Sequence, residues 1–142
     1  MKYISFVVPC FNSEKYMEKC IDSLLMCGDD VEIIIVNDGS TDKTAEIAKN
    51  YLKNNSNIKF IDKENGGHGS GINAGLKICE GLYFKCVDSD DWIDFDAYKK
   101  LIKAIKDNYN KNTNPDLYLT NYNYERIDMN KSFCEDYLRK LV

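Results

Sequence analysis

Short apolar runs alternate along this chain with segments of helical period. Tyr3 to Val8, closed by Pro9, and the β-branched run Val31 to Val36, closed by Asn37-Asp38-Gly39, read as buried strands. Asn57 to Asp62 and Leu82 to Val87 read as two more. Between the first two runs Met17, Cys20, Ile21, Leu24 and Leu25 fall on one face of a helix. Thr41 to Asn54 repeats the pattern with Ala45, Ala48 and Leu52, and Asp42 in its first turn suits the positive end of the helix dipole. A shorter helix is predicted from Gly69 to Cys79, burying Ile72, Leu76 and Cys79. The most regular runs from Phe95 to Tyr109, with Tyr98, Leu101, Ile102, Ile105 and Tyr109 along one side. After Asn114-Pro115 a fifth strand is predicted over Asp116 to Thr120, leading into Asn121-Tyr122-Asn123-Tyr124, and the last residues read as the start of another helix.

Strand and helix in alternation imply right-handed crossovers and a mostly parallel open α/β sheet, Rossmann-like, with helices on both faces. Ligands in such sheets bind beyond the carboxyl ends of the strands. The informative residues are therefore those that follow Val8, Val36, Asp62 and Val87. A chain of 142 residues suits one domain over 1–142, and this one reads as cut at Val142 rather than finished. Its 44% hydrophobic and 30% charged residues exclude a disordered tail. The net charge of −4, with the short basic stretches at Lys99-Lys100 and Arg139-Lys140 on helix faces, argues against nucleic acid as a partner.

Six cysteines raise the question of a disulfide scaffold or a metal site. There is no Cys-x-x-Cys pair and the lone His68 has no Cys near it in sequence, so reduced, buried thiols of a cytoplasmic protein are expected. The apolar N-terminal run is too short for a signal sequence, and no stretch reaches the ~18 residues of a transmembrane segment.

Each strand end carries candidate chemistry. Pro9-Cys10-Phe11-Asn12 offers Phe11 as a flat face for a base, unless that ring belongs to the core. Asp38 leaves a buried strand before a glycine turn and is placed either to accept from a base N–H or ribose hydroxyl, or to fix the turn while Ser40 or Thr41 caps the next helix. Five glycines in the ten positions from Gly66 to Gly75 imply a backbone needed close to something, and a helix emerging from such a loop attracts anions. His68 in that loop is either a phosphate or base contact or a solvent-facing side chain. The order argues against a dinucleotide fingerprint, because that glycine loop belongs after the first strand. Asp88-Ser89-Asp90-Asp91 puts three carboxylates in four residues, a repulsion best relieved by Mg²⁺ or Mn²⁺; the alternative is an acidic cap on the following helix.

Taken in order and spacing, Val7-Val8-Pro9-Cys10-Phe11-Asn12, Val36-Asn37-Asp38-Gly39-Ser40-Thr41-Asp42, Asn65-Gly66-Gly67 through Asn73-Ala74-Gly75, and Asp88-Ser89-Asp90-Asp91 resemble the four motifs of family 2 glycosyltransferases. The resemblance implies a GT-A fold, a nucleotide-diphospho-sugar donor (UDP-sugar favoured), a Mn²⁺ or Mg²⁺ ion, and transfer with inversion to a carbohydrate or lipid-linked acceptor. It places Pro9 and Phe11 in the base pocket and Asp38 on the base. Gly67, His68, Asn73, Asp88 and Ser89 fall along the donor, and the metal falls to Asp90 with Asp91 and Asp88. It also implies a cytoplasmic site, peripheral to the inner face of the membrane. Two positions depart from the pattern. Many relatives have an arginine where this chain has Ile72, and a small apolar residue where it has His68. The family's general base lies downstream of the acidic turn. Glu135-Asp136 has the right letters, but it opens what reads as an amphipathic surface stretch, so the base and acceptor site are expected beyond Val142, with Asp136 the weaker choice. A donor-binding module without transfer of its own is the competing expectation.

Overall fold

The computed structural model describes residues 1–126 and 131–135. The chain separates into two compact units, Met1–Asp107 and Asn108–Val142. In the first, four parallel strands run in the order β3-β2-β1-β4, with β1 at Ile4–Cys10, β2 at Val31–Asp38, β3 at Ile58–Lys63 and β4 at Tyr83–Cys86. The helices are α1 at Met17–Leu25, α2 at Thr44–Asn54, α3 at His68–Leu76 and α4 at Phe95–Asn110. Every residue of β1 and β2 is buried, as a parallel sheet covered on both faces requires. Among the described residues, no helix is long and apolar enough to cross a membrane.

The pattern of apolar positions predicts α1 well: Met17, Cys20, Ile21 and Leu24 are its buried residues. On α2 the buried residues are Thr44 and Ala48, while Leu52 is exposed. The third helix differs more. Its buried residues are Gly71 and Gly75, and Leu76 is 48% exposed, contrary to the expected apolar face. The reason is distance: a Cβ on Gly75 would lie 2.4 Å from Val7 Cγ1, so α3 comes close enough to the sheet that only glycine fits beneath it. Ala74 and Cys79 then meet the Val7, Ile34 and Val36 cluster from its flank.

β4 lies at the sheet edge, so Leu82 and Phe84, expected to be interior, are exposed and only Val87 beyond it is buried. Its start is tied down by a residue the pattern hid. Glu32, in the apolar run of β2, is 2% exposed. One of its carboxylate oxygens accepts from Ser5 Oγ and from the backbone N–H groups of Glu80 and Gly81, and the other lies 2.8 Å from Lys59 Nζ. Burial works to raise its pKa, but Lys59, Ser5 and the Glu80 N–H outweigh it and hold the carboxyl below its ordinary value.

In the second unit residues 116–120 form no strand, and Leu117 and Leu119 are exposed. The strand comes later, β5 at Tyr122–Arg126, paired antiparallel with β6 at Lys131–Glu135. Glu135 thus ends a strand instead of opening an amphipathic helix, and Asp136 lies outside the described residues.

Candidate functional site

The loops leaving β1 and β2 are laced together by side chains. Asn12, with φ of 50°, accepts the Thr41 N–H at 2.9 Å on its side-chain oxygen, and its own N–H donates to Ser40 Oγ at 3.0 Å. Ser13 N–H donates to Thr44 Oγ1 and Glu14 N–H to the Asp42 carboxylate. Asp42 also accepts from Thr44 N–H at 2.9 Å, so it serves the start of α2 in place of Ser40 or Thr41. Asn37 Oδ1 accepts from Ser40 N–H and holds the turn after β2, which frees Asp38 from that task.

Above these loops opens a cleft of ≈ 340 Å³ lined by Pro9, Cys10, Phe11, Asp38, Asn65, Gly67 and His68. Phe11 is 54% exposed there, so it is not a core residue. Asp38 is only 3% exposed, and one oxygen takes both the Lys63 ammonium and the Gly66 N–H, the latter at 3.0 Å. Burial favours its neutral form, but Lys63 and the loop N–H groups prevail, and the carboxyl stays ionised below the usual carboxylate range. The approach of the two loops demands glycine at residue 39, where a Cβ would stand 2.6 Å from Asn65 N. Gly67, at φ 84° and ψ 166°, turns the chain into α3 through a conformation only glycine holds comfortably. Gly67 and His68, at the start of α3, line the cleft, so an anion there gains from the positive end of the helix dipole.

The acidic turn is fixed from several sides. Ser89 Oγ and Ser13 Oγ are 2.7 Å apart, Cys20 Sγ–H donates to the Asp88 carbonyl, Ile93 N–H donates to Ser23 Oγ, and Lys19 Nζ sits 3.0 Å from the centroid of the Trp92 ring. The cap on α4 is Asp94, which accepts from Ala97 N–H at 2.7 Å. Asp88, Asp90 and Asp91 are exposed and take no part in it. Burial first, then the charges of Asp90 and Asp88, raises the Asp91 carboxyl above its ordinary value, the signature of carboxylates held against one another. Hard oxygen donors of that kind fit Mg²⁺ or Mn²⁺.

Pro9, Phe11, Asp38, Gly67 and His68 are brought together, and His68 Nε2 lies 3.5 Å from Asp88 Oδ1. Asn73 lies on an exposed part of α3 and does not line the cleft. The sequence pattern missed Lys63; its signal was the register, since it is the β3 partner of Asp38. Sequence spacing also left His68 without a cysteine neighbour, yet folding brings Cys86 to it. Among the described residues the triplet of His, Cys, Asp or Glu whose ligand atoms all lie within 4.8 Å of one another is His68, Cys86 and Asp88, without Asp90 or Asp91.

The fold is that of an open parallel-sheet α/β protein with a cleft at the strand ends. The chain belongs to glycosyl transferase family 2, whose family model matches residues 5–141. It is 41% identical over 106 residues to the uncharacterized glycosyltransferase EpsJ of Bacillus subtilis, covering 74% of this chain and 31% of that protein. It is 34% identical to the chondroitin synthase of Pasteurella multocida over 139 residues, 90% of this chain and 14% of the synthase. Among solved structures, S. aureus TarS 1-349 in complex with UDP matches with a TM-score of 0.67 at 36% identity, over 77% of this chain and 33% of that one. The fold is of the GT-A type that these structures share. The chain thus spans about a third or less of the length of these three relatives.

Proposed function

We propose that this chain binds the nucleotide-diphospho-sugar donor of a metal-assisted, inverting glycosyltransferase, with a UDP-sugar favoured. The observation that carries the reading is the convergence, at one set of strand ends, of an exposed aromatic ring (Phe11), a buried ionised carboxylate (Asp38), a glycine-led helix N-terminus and an acidic turn. The UDP complex of TarS, a relative at 36% identity, supports the choice of nucleotide. In this reading Pro9 and Phe11 flank the base and Asp38 accepts from it. Gly67 and His68 meet the diphosphate, with Ser89 and Asp88 facing them and Asn73 one turn along α3. Asp90, with Asp91 and Asp88, would hold Mn²⁺ or Mg²⁺, which when bound supplies positive charge against the leaving diphosphate. The acceptor oxygen forms its bond to the anomeric carbon as the bond to the diphosphate breaks, which inverts that carbon. The acceptor proton passes to a base outside the described residues, where Asp136 also lies. Working on a carbohydrate or lipid-linked acceptor, the protein belongs in the cytoplasm at the inner face of the membrane, where thiols such as Cys10 and Cys20 stay reduced.

Calorimetric titration of UDP, with and without Mn²⁺, tests the reading. Binding should need the metal, and Asp38→Asn and Asp90→Ala should each weaken it at least about tenfold, roughly 1.4 kcal/mol. Metal-independent binding of equal strength in all three proteins would remove the basis for the assignment. Binding without transfer to any acceptor would favour the donor-module reading.

A further inference from the structure

The hard-cation reading of the acidic turn gives Cys86 no role, although folding sets it beside His68 and Asp88. His68 Nε2, Cys86 Sγ and Asp88 Oδ1 converge at the cleft mouth: nitrogen to oxygen is 3.5 Å, sulfur to oxygen 4.0 Å, and no pair exceeds 4.8 Å. A tetrahedral zinc ion with bonds of about 2.0 to 2.3 Å sets its ligand atoms about 3.3 to 3.6 Å apart. The first of these distances already fits, and the widest closes by about 1 Å as the exposed His68 and Asp88 side chains rotate toward the half-buried Cys86 sulfur. Imidazole plus thiolate is a donor set that selects zinc over magnesium or manganese, which favour all-oxygen shells.

We propose that His68, Cys86 and Asp88 form a zinc site with one open position, and that zinc held there excludes the donor. The exclusion, though not the zinc site itself, rests on the donor reading above, because Asp88 and His68 serve in both. The Cys86 thiol gives up its proton to solvent as the sulfur–zinc bond forms. Three protein ligands with a fourth position open to water describe an exchangeable ion rather than a structural one.

Zinc affinity is measured on the protein without nucleotide, by competition with a chromophoric chelator, and Co²⁺ serves as the spectroscopic probe. Cys86→Ser and His68→Ala should each weaken zinc binding at least about tenfold. The cobalt form should show a thiolate charge-transfer band that Cys86→Ser abolishes and Cys79→Ser retains, with circular dichroism unchanged throughout. Zinc binding indifferent to both Cys86→Ser and His68→Ala, or a cobalt spectrum without the thiolate band, overturns the site. A UDP titration at saturating zinc reads the exclusion: UDP affinity should fall at least about tenfold in the wild type and be restored in Cys86→Ser. Zinc and UDP bound side by side overturns the exclusion alone, whereas failure of UDP to bind even without zinc strikes the donor reading and leaves the zinc result standing.

Discussion

Replacing Glu32 by alanine removes one buried carboxylate that four groups share, and the cost follows from what each group has left. Gly81 N–H keeps Ser5 Oγ as an acceptor at 2.8 Å, and Lys59 keeps the Glu80 carboxylate at 2.9 Å in a third-exposed position where such a pair is worth little. The Glu80 N–H has only Glu32 among these partners, and stranding a partly buried donor costs about 1–3 kcal/mol. The lost bond from Ser5 adds about 1 kcal/mol. A loss of about 2–4 kcal/mol is therefore expected. With a urea slope of roughly 2 kcal/mol per molar, the unfolding midpoint should fall by about 1–2 M, followed by the fluorescence of Trp92, the one tryptophan of the chain. Glu32→Gln retains an acceptor oxygen and should lose about half as much. The pH dependence supplies a second check. The folded carboxyl titrates below its ordinary value of 4.5, so its contribution is present above that pH and is lost as pH falls through the folded value. The gap between wild type and Glu32→Gln should accordingly shrink below pH 4.5 and not above it. An alanine variant within about 0.5 kcal/mol of wild type at neutral pH would refute the claim that this carboxylate ties β4 to the sheet.

Gly75→Ala should destabilise by about 1–3 kcal/mol despite its better helix propensity, because its Cβ meets Val7 Cγ1 at 2.4 Å and Cγ2 at 2.8 Å; an unchanged melting temperature would show that α3 can lift away freely. Cys10 and Cys27, whose thiols burial pushes up to about 12, and Cys20, pushed higher still for the same reason, should resist alkylation at pH 8 until denaturant is added. Fast labelling of any of the three in the folded protein, read by mass spectrometry, would contradict the buried environment.

What could be read from the letters and what could not divides along a physical line. A stripe of Met17, Cys20, Ile21 and Leu24 is itself the packing face of α1, so periodicity states the contact directly. Strand order has no such imprint. The run Leu82 to Val87 differs from β1 by one charge, Lys85, which fits an edge without specifying it; nor does anything local tell Asp38 that it will face Lys63, 25 residues on, until β2 and β3 are paired. The same holds for Cys86, which meets His68 only through the order β1-β4 and the placement of α3.

The glycine loop shows how this bears on function. Density alone suggests that all five glycines make room for a ligand, but a Cβ on Gly75 would strike Val7, one on Gly71 would press on Pro9 at 3.3 Å, and one on Gly66 would crowd Ser70. Those three are used up by the protein's own packing. Only Gly67 and Gly69 face open space, on either side of His68 and at the first turn of α3. The case for a bound anion therefore contracts from ten residues to Gly67-His68-Gly69, the stretch that opens α3 and carries the imidazole 3.5 Å from Asp88 Oδ1. Alanine at Gly69, which meets no atom within 4 Å, should leave the fold intact, so any loss of UDP affinity it causes reports on the ligand and not on the packing.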